Sequence, residues 1–307
     1  MPDLIHLFVS LVASFVALFP ATAVPNAFPS LPRVAPPHFT VLFAGDMMFD
    51  RTIRTAVSEK GGDFIFSCID PVLKEADLVV ANLEGPITDK PSKSMGTPPG
   101  SDGNYTFTFP TSTAALLAAH NIRLVNIGNN HIKNFGTSGV RSTISALDDA
   151  RVKYFGDPLD HTVAAEDFGD IHLAFINYNE FGGNTTTTIR QIEDARMAGT
   201  LPIVYTHWGV EYATTSPEYI RTLARRFIDA GAEIVVGSHP HVVEEREFYR
   251  EKYIYYSLGN FIFDQYWNGD VRRGLVLNVA FDKAGVQYVE EIPVELGRDR
   301  RTCPLVE

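Results

Sequence analysis

Cysteine is nearly missing from this sequence: 307 residues hold only Cys68 and Cys303. That excludes a disulfide-stapled scaffold and a four-cysteine zinc site. In an oxidising compartment the two can pair, and in a reducing one they stay thiols; the sequence leaves both open. Positive charge is also short. Lys and Arg number 26 against 37 Asp and Glu, a formal net charge of −11. Such a surface lacks the electrostatic footprint of a nucleic-acid binder, so no nucleic-acid partner is expected. A polyanionic ligand would need a local cationic site. Apolar residues at 45% and charged residues at 21% are ordinary globular composition and exclude a disordered chain.

Long apolar runs are absent beyond the N-terminal segment. The exception is residues 4–20, a run of 17 broken only by His6 and two serines and followed by Ala21-Thr22-Ala23. This reads as a secretory signal peptide. Its leading segment carries Asp3 and no Lys or Arg, so an uncleaved membrane anchor at the short edge of a span is the alternative. The chain is therefore expected to be exported to the periplasmic or extracellular face, and anchored there if the segment is retained. Residues 24–37 contain five prolines and read as an extended linker. The expected organisation is a leader over 1–23, a linker over 24–37 and one domain over 38–300.

Within that domain, short β-rich runs alternate with helical stretches. Strands are expected at 39–45, 77–82, 122–128, 172–178, 202–208, 233–239 and 253–259. Helices are expected near 111–120, 137–150, 188–198 and 216–230, the last opened by Ser216-Pro217 and closed by Gly231. Continuous apolar strands are buried on both faces, and alternation with helices argues an α/β sheet core. Residues 274–281 and 286–296 have no helix between them and look like an antiparallel addition. Residues 91–104 form a polar Pro/Gly/Ser-rich loop, long enough for a lid.

Metal-competent residues gather where the strands stop. Asp46, Glu84, Asn130, His131, His207, His239 and His241 each follow an apolar run. Alone, each is weak: Gly-Asp is commonly a turn, Asn130-His131 can be a helix cap, and a single strand-end histidine usually just hydrogen-bonds. Their coincidence is stronger, because the carboxyl ends of strands in an α/β sheet converge on one crevice. Imidazole with carboxylate suits Mn, Fe, Zn or Ni. Six or more ligands exceed one tetrahedral ion and fit two metals bridged by a carboxylate. His6, His38, His120, His161 and His172 fall outside the pattern.

The motifs GDMMFDR (45–51), NLEGPIT (82–88), NNHIKNFG (129–136), HWGVEY (207–212), GSHPHV (237–242) and YSLGNFIFD (256–264) resemble, in order, those of the CapA family of bacterial capsule and poly-γ-glutamate biosynthesis proteins. That family is a branch of the calcineurin-like metallophosphoesterases. The resemblance implies a four-layer α/β/β/α sandwich with two divalent metals at the strand ends. It places Asp46 and His241 on the first metal and His207 and His239 on the second. It puts Glu84 at the bridging position, Asn130 on the metal asparagine and His131 on the general acid. Met48 stands where the ordinary phosphoesterases have a histidine, and Asn134 where CapA proteins usually have an aspartate.

The expected chemistry is phosphoester hydrolysis by metal-bound hydroxide, with Arg51 neutralising phosphoryl charge. Trp208, Tyr212, Asn260 and Phe261 are expected on the substrate side. Two alternatives stay open: metal-dependent binding, assembly or export of an anionic polymer such as poly-γ-glutamate beside a membrane-bound synthase, and γ-glutamyl amide hydrolysis or transfer.

Overall fold

The computed structural model describes residues 38–160 and 163–305. The expected leader, anchor and linker lie outside the described residues, as does His161. The first half contains β1 (Phe39–Met47), α1 (Arg51–Lys60), α2 (Gly62–Phe66), α3 (Asp70–Glu75), β2 (Leu78–Leu83), α4 (Thr113–Ala119), β3 (Ile122–Asn126), α5 (Gly136–Asp149) and β4 (Lys153–Phe155). Then come β5 (Ala164–Phe168), β6 (Ile171–Asn179), α6 (Thr185–Met197), β7 (Leu201–His207), α7 (Glu218–Ala230), β8 (Ile234–Ser238), β9 (Arg246–Tyr249) and β10 (Lys252–Tyr255). The chain closes with β11 (Asn260–Ile262), β12 (Arg273–Asp282), β13 (Gly285–Leu296) and β14 (Thr302–Pro304).

These strands make two sheets. One has the order β14-β13-β12-β1-β2-β3-β4, with β11 also paired to β1; the other has the order β5-β6-β7-β8-β10-β9. β1 to β4 run parallel, as do β6, β7, β8 and β10. β12 and β13 add on antiparallel, as their helix-free sequence suggests, and β14 pairs antiparallel with β13.

The apolar pattern explains the layering. β2, β7 and β8 are buried along their whole length, because each is covered on both faces. Between the sheets, Phe43 and Leu124 meet Phe175 and Tyr205 in one apolar cluster, and the Tyr205 hydroxyl donates across to the Ala44 carbonyl at 2.6 Å. Ile53, Leu117, Val140 and Leu147 bury the faces of α1, α4 and α5 on the first sheet. Ile192, Leu223 and Phe227 do the same for α6 and α7 on the second. The result is the α/β/β/α sandwich. Helix α7 starts after Pro217 and stops at Gly231, whose φ of 118° is the left-handed cap glycine supplies.

Three short helices, α1 to α3, go beyond the sequence expectation. α2 and α3, of five and six residues, are too short to set a period, whereas α1 carries Ile53, Ala56 and Val57 at helical spacing, a signal passed over in the sequence. β4, β5, β9 and β14 also go beyond it; β5 and β9 are edge strands with polar residues facing solvent. β14 lies past residue 300, where the sequence reading ends the domain. It carries Cys303, which is disulfide-bonded to Cys68 between α2 and α3, with a Cα separation of 4.8 Å.

The expected strand at 253–259 breaks off partway, and a second strand starts just past its end. β10 ends at Tyr255 in one sheet, and the chain re-emerges as β11 in the other. Gly259, at φ 68°, makes this crossing, and a Cβ on Gly45 would lie 1.9 Å from its carbonyl oxygen. Only glycine at 45 lets β1 approach this turn. Among the described residues, no helix is long and apolar enough to cross a membrane.

Candidate metal centre

The carboxyl ends of β1, β2, β7 and β8 meet across the sandwich, and the strand-end residues meet with them. Asp46, Glu84 and His241 form one group whose ligand atoms lie within 4.8 Å of one another; Glu84, His207 and His239 form a second. Glu84 belongs to both. All five side chains are buried.

The fit of this set to cations can be tested on its hydrogen bonds. Both Glu84 carboxylate oxygens are buried without a hydrogen-bond partner, and so is Nδ1 of His239. Such orphaned acceptors are costly unless something binds them. His207 Nδ1 lies 3.0 Å from the Ser238 hydroxyl and 3.3 Å from the Asn82 amide nitrogen, groups that hold the ring in place. Its Nε2 faces the Asn130 amide oxygen at 2.9 Å, so both atoms point into the same space. The mixed imidazole–carboxylate donor set suits a borderline divalent metal. These residues fit metal binding.

The electrostatics agree. Burial, then the neighbouring Asp46, pushes the Glu84 carboxyl well above its usual value. Burial would also raise Asp46, but His241, His207 and the Asn82 amide outweigh it and hold Asp46 below the ordinary carboxylate range. Burial and the neighbouring His239 hold His207 well below the ordinary imidazole value. Burial and His241 bring His239 down to about 3. These two imidazoles are neutral at pH 7, the form that ligates.

Second-layer groups aim the ligands. Asn82 donates to Asp46 at 2.8 Å, and its own oxygen accepts from Asn126 at 3.0 Å and Asn129 at 3.2 Å. The His239 backbone N–H also donates to Asp46, at 3.1 Å. His239 at φ 100° and His241 at φ 60° both occupy left-handed backbone around Pro240, strain of about 1–3 kcal/mol each. The asparagine layer escapes motif reading because an asparagine ending an apolar strand looks like a turn residue.

His131 lies at the rim, with Nε2 3.8 Å from Glu84 and its ring 4.4 Å from that of Phe107. Asn134 donates to the Tyr105 carbonyl at 2.8 Å, which fixes its nitrogen 3.2 Å from His131 Nδ1. Nδ1 is therefore an acceptor and the ring's proton sits on Nε2, facing Glu84. Burial, then His241, lowers the His131 pKa to about 4. Arg51 is at the other rim, with left-handed backbone at φ 49°. It donates to Asp264 at 2.5 Å and Asn104 at 3.0 Å, and its guanidinium lies 5.1 Å from the Phe107 ring and 5.5 Å from that of Phe263.

Three expected substrate-side residues are corrected by the structure. Trp208 is fully buried among Phe227 and Tyr256, its indole donating to the Tyr256 carbonyl at 2.9 Å. Phe261 is buried in the core against the helices, because β11 is an interior strand. Asn260 is buried behind the ligands. Its amide nitrogen donates to the carbonyls of His241 and Val271 and to Gln265, so its oxygen accepts from His241 Nδ1 at 2.9 Å. It orients a ligand. Tyr212 alone is on the open side, 40% exposed, with its ring 6.1 Å from that of His241. Met48 is wholly buried, its sulfur accepting from the Asp50 N–H. It contributes nothing to the site. Phe181, which no motif marks, packs its ring 4.4 Å from that of His239.

Comparison with known proteins follows this geometry. Residues 40–265 match the family model described as "Bacterial capsule synthesis protein PGA_cap". The "PGA biosynthesis protein CapA" of Bacillus subtilis is 27% identical, the match covering 95% of this chain and 80% of that protein. The "Capsule biosynthesis protein CapA" of Bacillus anthracis is 28% identical over 84% of this chain and 67% of its own length. A phosphatase crystal structure from Mycoplasma pneumoniae aligns with a TM-score of 0.50 at 14% identity, covering 84% of this chain and 94% of that one, and so shares the fold. With the family model matching most of the chain, through the strand ends that carry the ligand groups, this protein belongs to the bacterial capsule synthesis (PGA_cap, or CapA) family.

Proposed function

We propose that the protein is a metal-dependent phosphoester hydrolase serving capsule polymer biosynthesis. The observation that carries this reading is Glu84, whose two unpartnered, fully buried oxygens are shared by both ligand groups. Asp46, Glu84 and His241 would hold one divalent ion; Glu84, His207, His239 and Asn130 would hold the other. Bound there, Mn, Fe or Zn ions supply Lewis acidity and lower the pKa of water.

The chain's own groups do the rest. Arg51, stacked on two phenylalanine rings and pinned by Asp264 and Asn104, holds positive charge beside the site for phosphoryl oxygens. His131 presents Nε2–H to the leaving side. Tyr212 borders the approach. The Cys68–Cys303 disulfide supports folding in an oxidising, extracytoplasmic compartment, where the apolar N-terminal run would deliver or anchor the chain.

His131 also favours a second reading. Asn134 puts an amide and no carboxylate beside its Nδ1, at 3.2 Å, so the chain gives it no group that would favour the protonated, general-acid form. A metal centre that binds an anionic polymer such as poly-γ-glutamate for assembly or export, beside a membrane synthase, or acts on a γ-glutamyl amide, needs no such acid. Metal analysis followed by assay of an aryl phosphate mono- and diester with Mn²⁺ separates the two. Two metals per chain with turnover, both lost in His239→Ala, supports hydrolysis. Bound metal without turnover on either ester overturns it and favours the polymer-binding reading.

A further inference from the structure

Beside the metal centre lies a cavity of about 650 Å³, walled by Arg51 and Tyr212 on the ligand side and by residues 94–99, Asn104 and Trp267 on the other. Its electrostatics are unusual for a family named after an anionic polymer. The ionised side chains lining it are Arg51 and Asp264, and they are paired to each other at 2.5 Å. A polyanion entering this space meets a single cation, Arg51, two of whose guanidinium nitrogens are already engaged by Asp264 and Asn104, inside a chain of net charge −11.

What the cavity does offer is aromatic surface and neutral hydrogen-bonding groups. Trp267 is 60% exposed, Tyr105 46% and Tyr212 40%. Large aromatics left open around one concavity mark a binding site more often than chance exposure. They are also held in place. Tyr212 and Trp267 pack edge to face at 5.3 Å. Tyr212 has left-handed backbone at φ 65°, fixed by its N–H donating to the Pro240 carbonyl at 2.8 Å and by Gln265 donating to its hydroxyl at 3.3 Å. A bulky residue held in that conformation marks a position the surrounding structure over-determines. Gln265 in turn accepts from Asn260, which orients His241, so the cavity wall and the metal centre are one hydrogen-bonded unit. The hydroxyls of Thr52, Thr55 and Thr97 also line the cavity; each donates its proton within the protein, to Asp264, the Arg51 carbonyl and the Ser94 carbonyl, and presents an oxygen that can still accept.

A ligand matching this wall has apolar faces for the rings, hydroxyl or amide edges for the polar groups, and no net charge. We propose that the cavity is a subsite for a neutral sugar ring. An acyl chain would bring no donors to the remaining acceptor positions of these threonine oxygens, and a glutamate polymer would bring more charge than the one paired cation balances. The inference goes beyond the hydrolytic reading and does not depend on it. Where hydrolysis also holds, the group carried next to the phosphoester is glycosyl.

The chain's two tryptophans make the test direct. Trp208 is buried in the core and reports folding; Trp267 is in the cavity and reports occupancy. The full-length protein in EDTA is titrated with chitotriose, maltotriose and a glutamate oligomer while tryptophan emission is followed. Removing the metal keeps a failed phosphatase assay from being confused with a failed subsite. The expected result is a saturable change with a neutral trisaccharide, insensitive to salt, absent in Trp267→Ala and weakened about tenfold or more in Tyr105→Ala. Both variants alter exposed rings, and an unchanged Trp208 emission and melting curve shows that they fold. No response to either trisaccharide at millimolar concentration, or a salt-sensitive response to the glutamate oligomer alone, overturns the proposal.

Discussion

Replacing Glu84 by glutamine should change stability in opposite directions with and without metal. In the metal-free protein the carboxyl is fully buried, neither oxygen receives a donor, and Asp46 faces it as an acceptor for its proton. Its pKa is raised on folding, so the folded state keeps a proton that the unfolded chain releases above its reference value of 4.5. That penalty is absent below pH 4.5 and grows as pH rises. At 1.36 kcal/mol per unit it is capped at about 5 kcal/mol by pH 8. The replacement amide would itself be unpartnered, at a cost of about 1–3 kcal/mol. The Glu84→Gln variant should therefore be more stable than wild type in EDTA at pH 8, by at most about 4 kcal/mol, read as an upward melting shift. At pH 5 the advantage should vanish. With Mn²⁺ in large excess the order should reverse, because wild type gains about 4 kcal/mol per site at a thousandfold excess over Kd and the variant does not. Thermal melts in EDTA and in Mn²⁺ at both pH values read all four cases. A variant that melts below wild type in EDTA at pH 8 would show that Glu84 is satisfied by the protein alone and would refute the shared-ligand argument.

Three further outcomes are expected. Glu244 is buried against Ser216, and burial pushes its carboxyl up to about 7. Its penalty grows between pH 4.5 and 7, so Glu244→Gln should stabilise at pH 8 by at most about 3 kcal/mol and do nothing at pH 4.5, as read by urea unfolding. The Cys68–Cys303 disulfide joins residues 235 apart, so the double Cys→Ser variant should lose about 5 kcal/mol of unfolding free energy in the chain-entropy model; an unchanged urea midpoint would contradict it. Gly45→Ala drives a methyl into the Gly259 carbonyl at 1.9 Å and should cost about 4 kcal/mol or more, whereas Gly269→Ala, which meets nothing within 4 Å, should stay within about 0.5 kcal/mol. Urea unfolding of the two side by side reads the difference.

The parts of this fold set by periodicity were legible in the sequence. β2, β7 and β8 are covered on both faces, so their apolar runs are unbroken, and α7 carries both its start and its stop signals. The strand-end ligands were legible for the same reason, since apolar runs that stop at His or Asp stand out. The missed elements owe their structure to distant partners. β14 exists because β13 offers an edge and Cys68 lies within bonding reach, and neither is visible near residue 302. The misplaced residues show the same limit from the other side. Trp208 sits one residue past a ligand and Phe261 near a strand start, where sequence proximity to the site is high. Yet alternation along the backbone turns their side chains into the core. Asn260 lay in a recognisable motif, but its role, aiming His241, is fixed by Gln265 and Val271 through contacts no spacing reveals.

The ligands come from both sheets of the sandwich. Asp46 and Glu84 stand at the ends of β1 and β2 in one sheet. His207 ends β7, and His239 and His241 follow β8, in the other; the Asp46–His239 hydrogen bond spans 193 residues of chain. No fragment ending before residue 239 can assemble either group, so metal binding there, on the proposed function, would be a late event in the life of the chain. It takes place wherever the two sheets first close on each other. Ligand chemistry alone does not rank Mn, Fe and Zn as cells need them ranked, and local supply decides among them. Under the proposed function the place of folding would therefore select the metal: the same sequence folded in two compartments would emerge as two different metalloproteins.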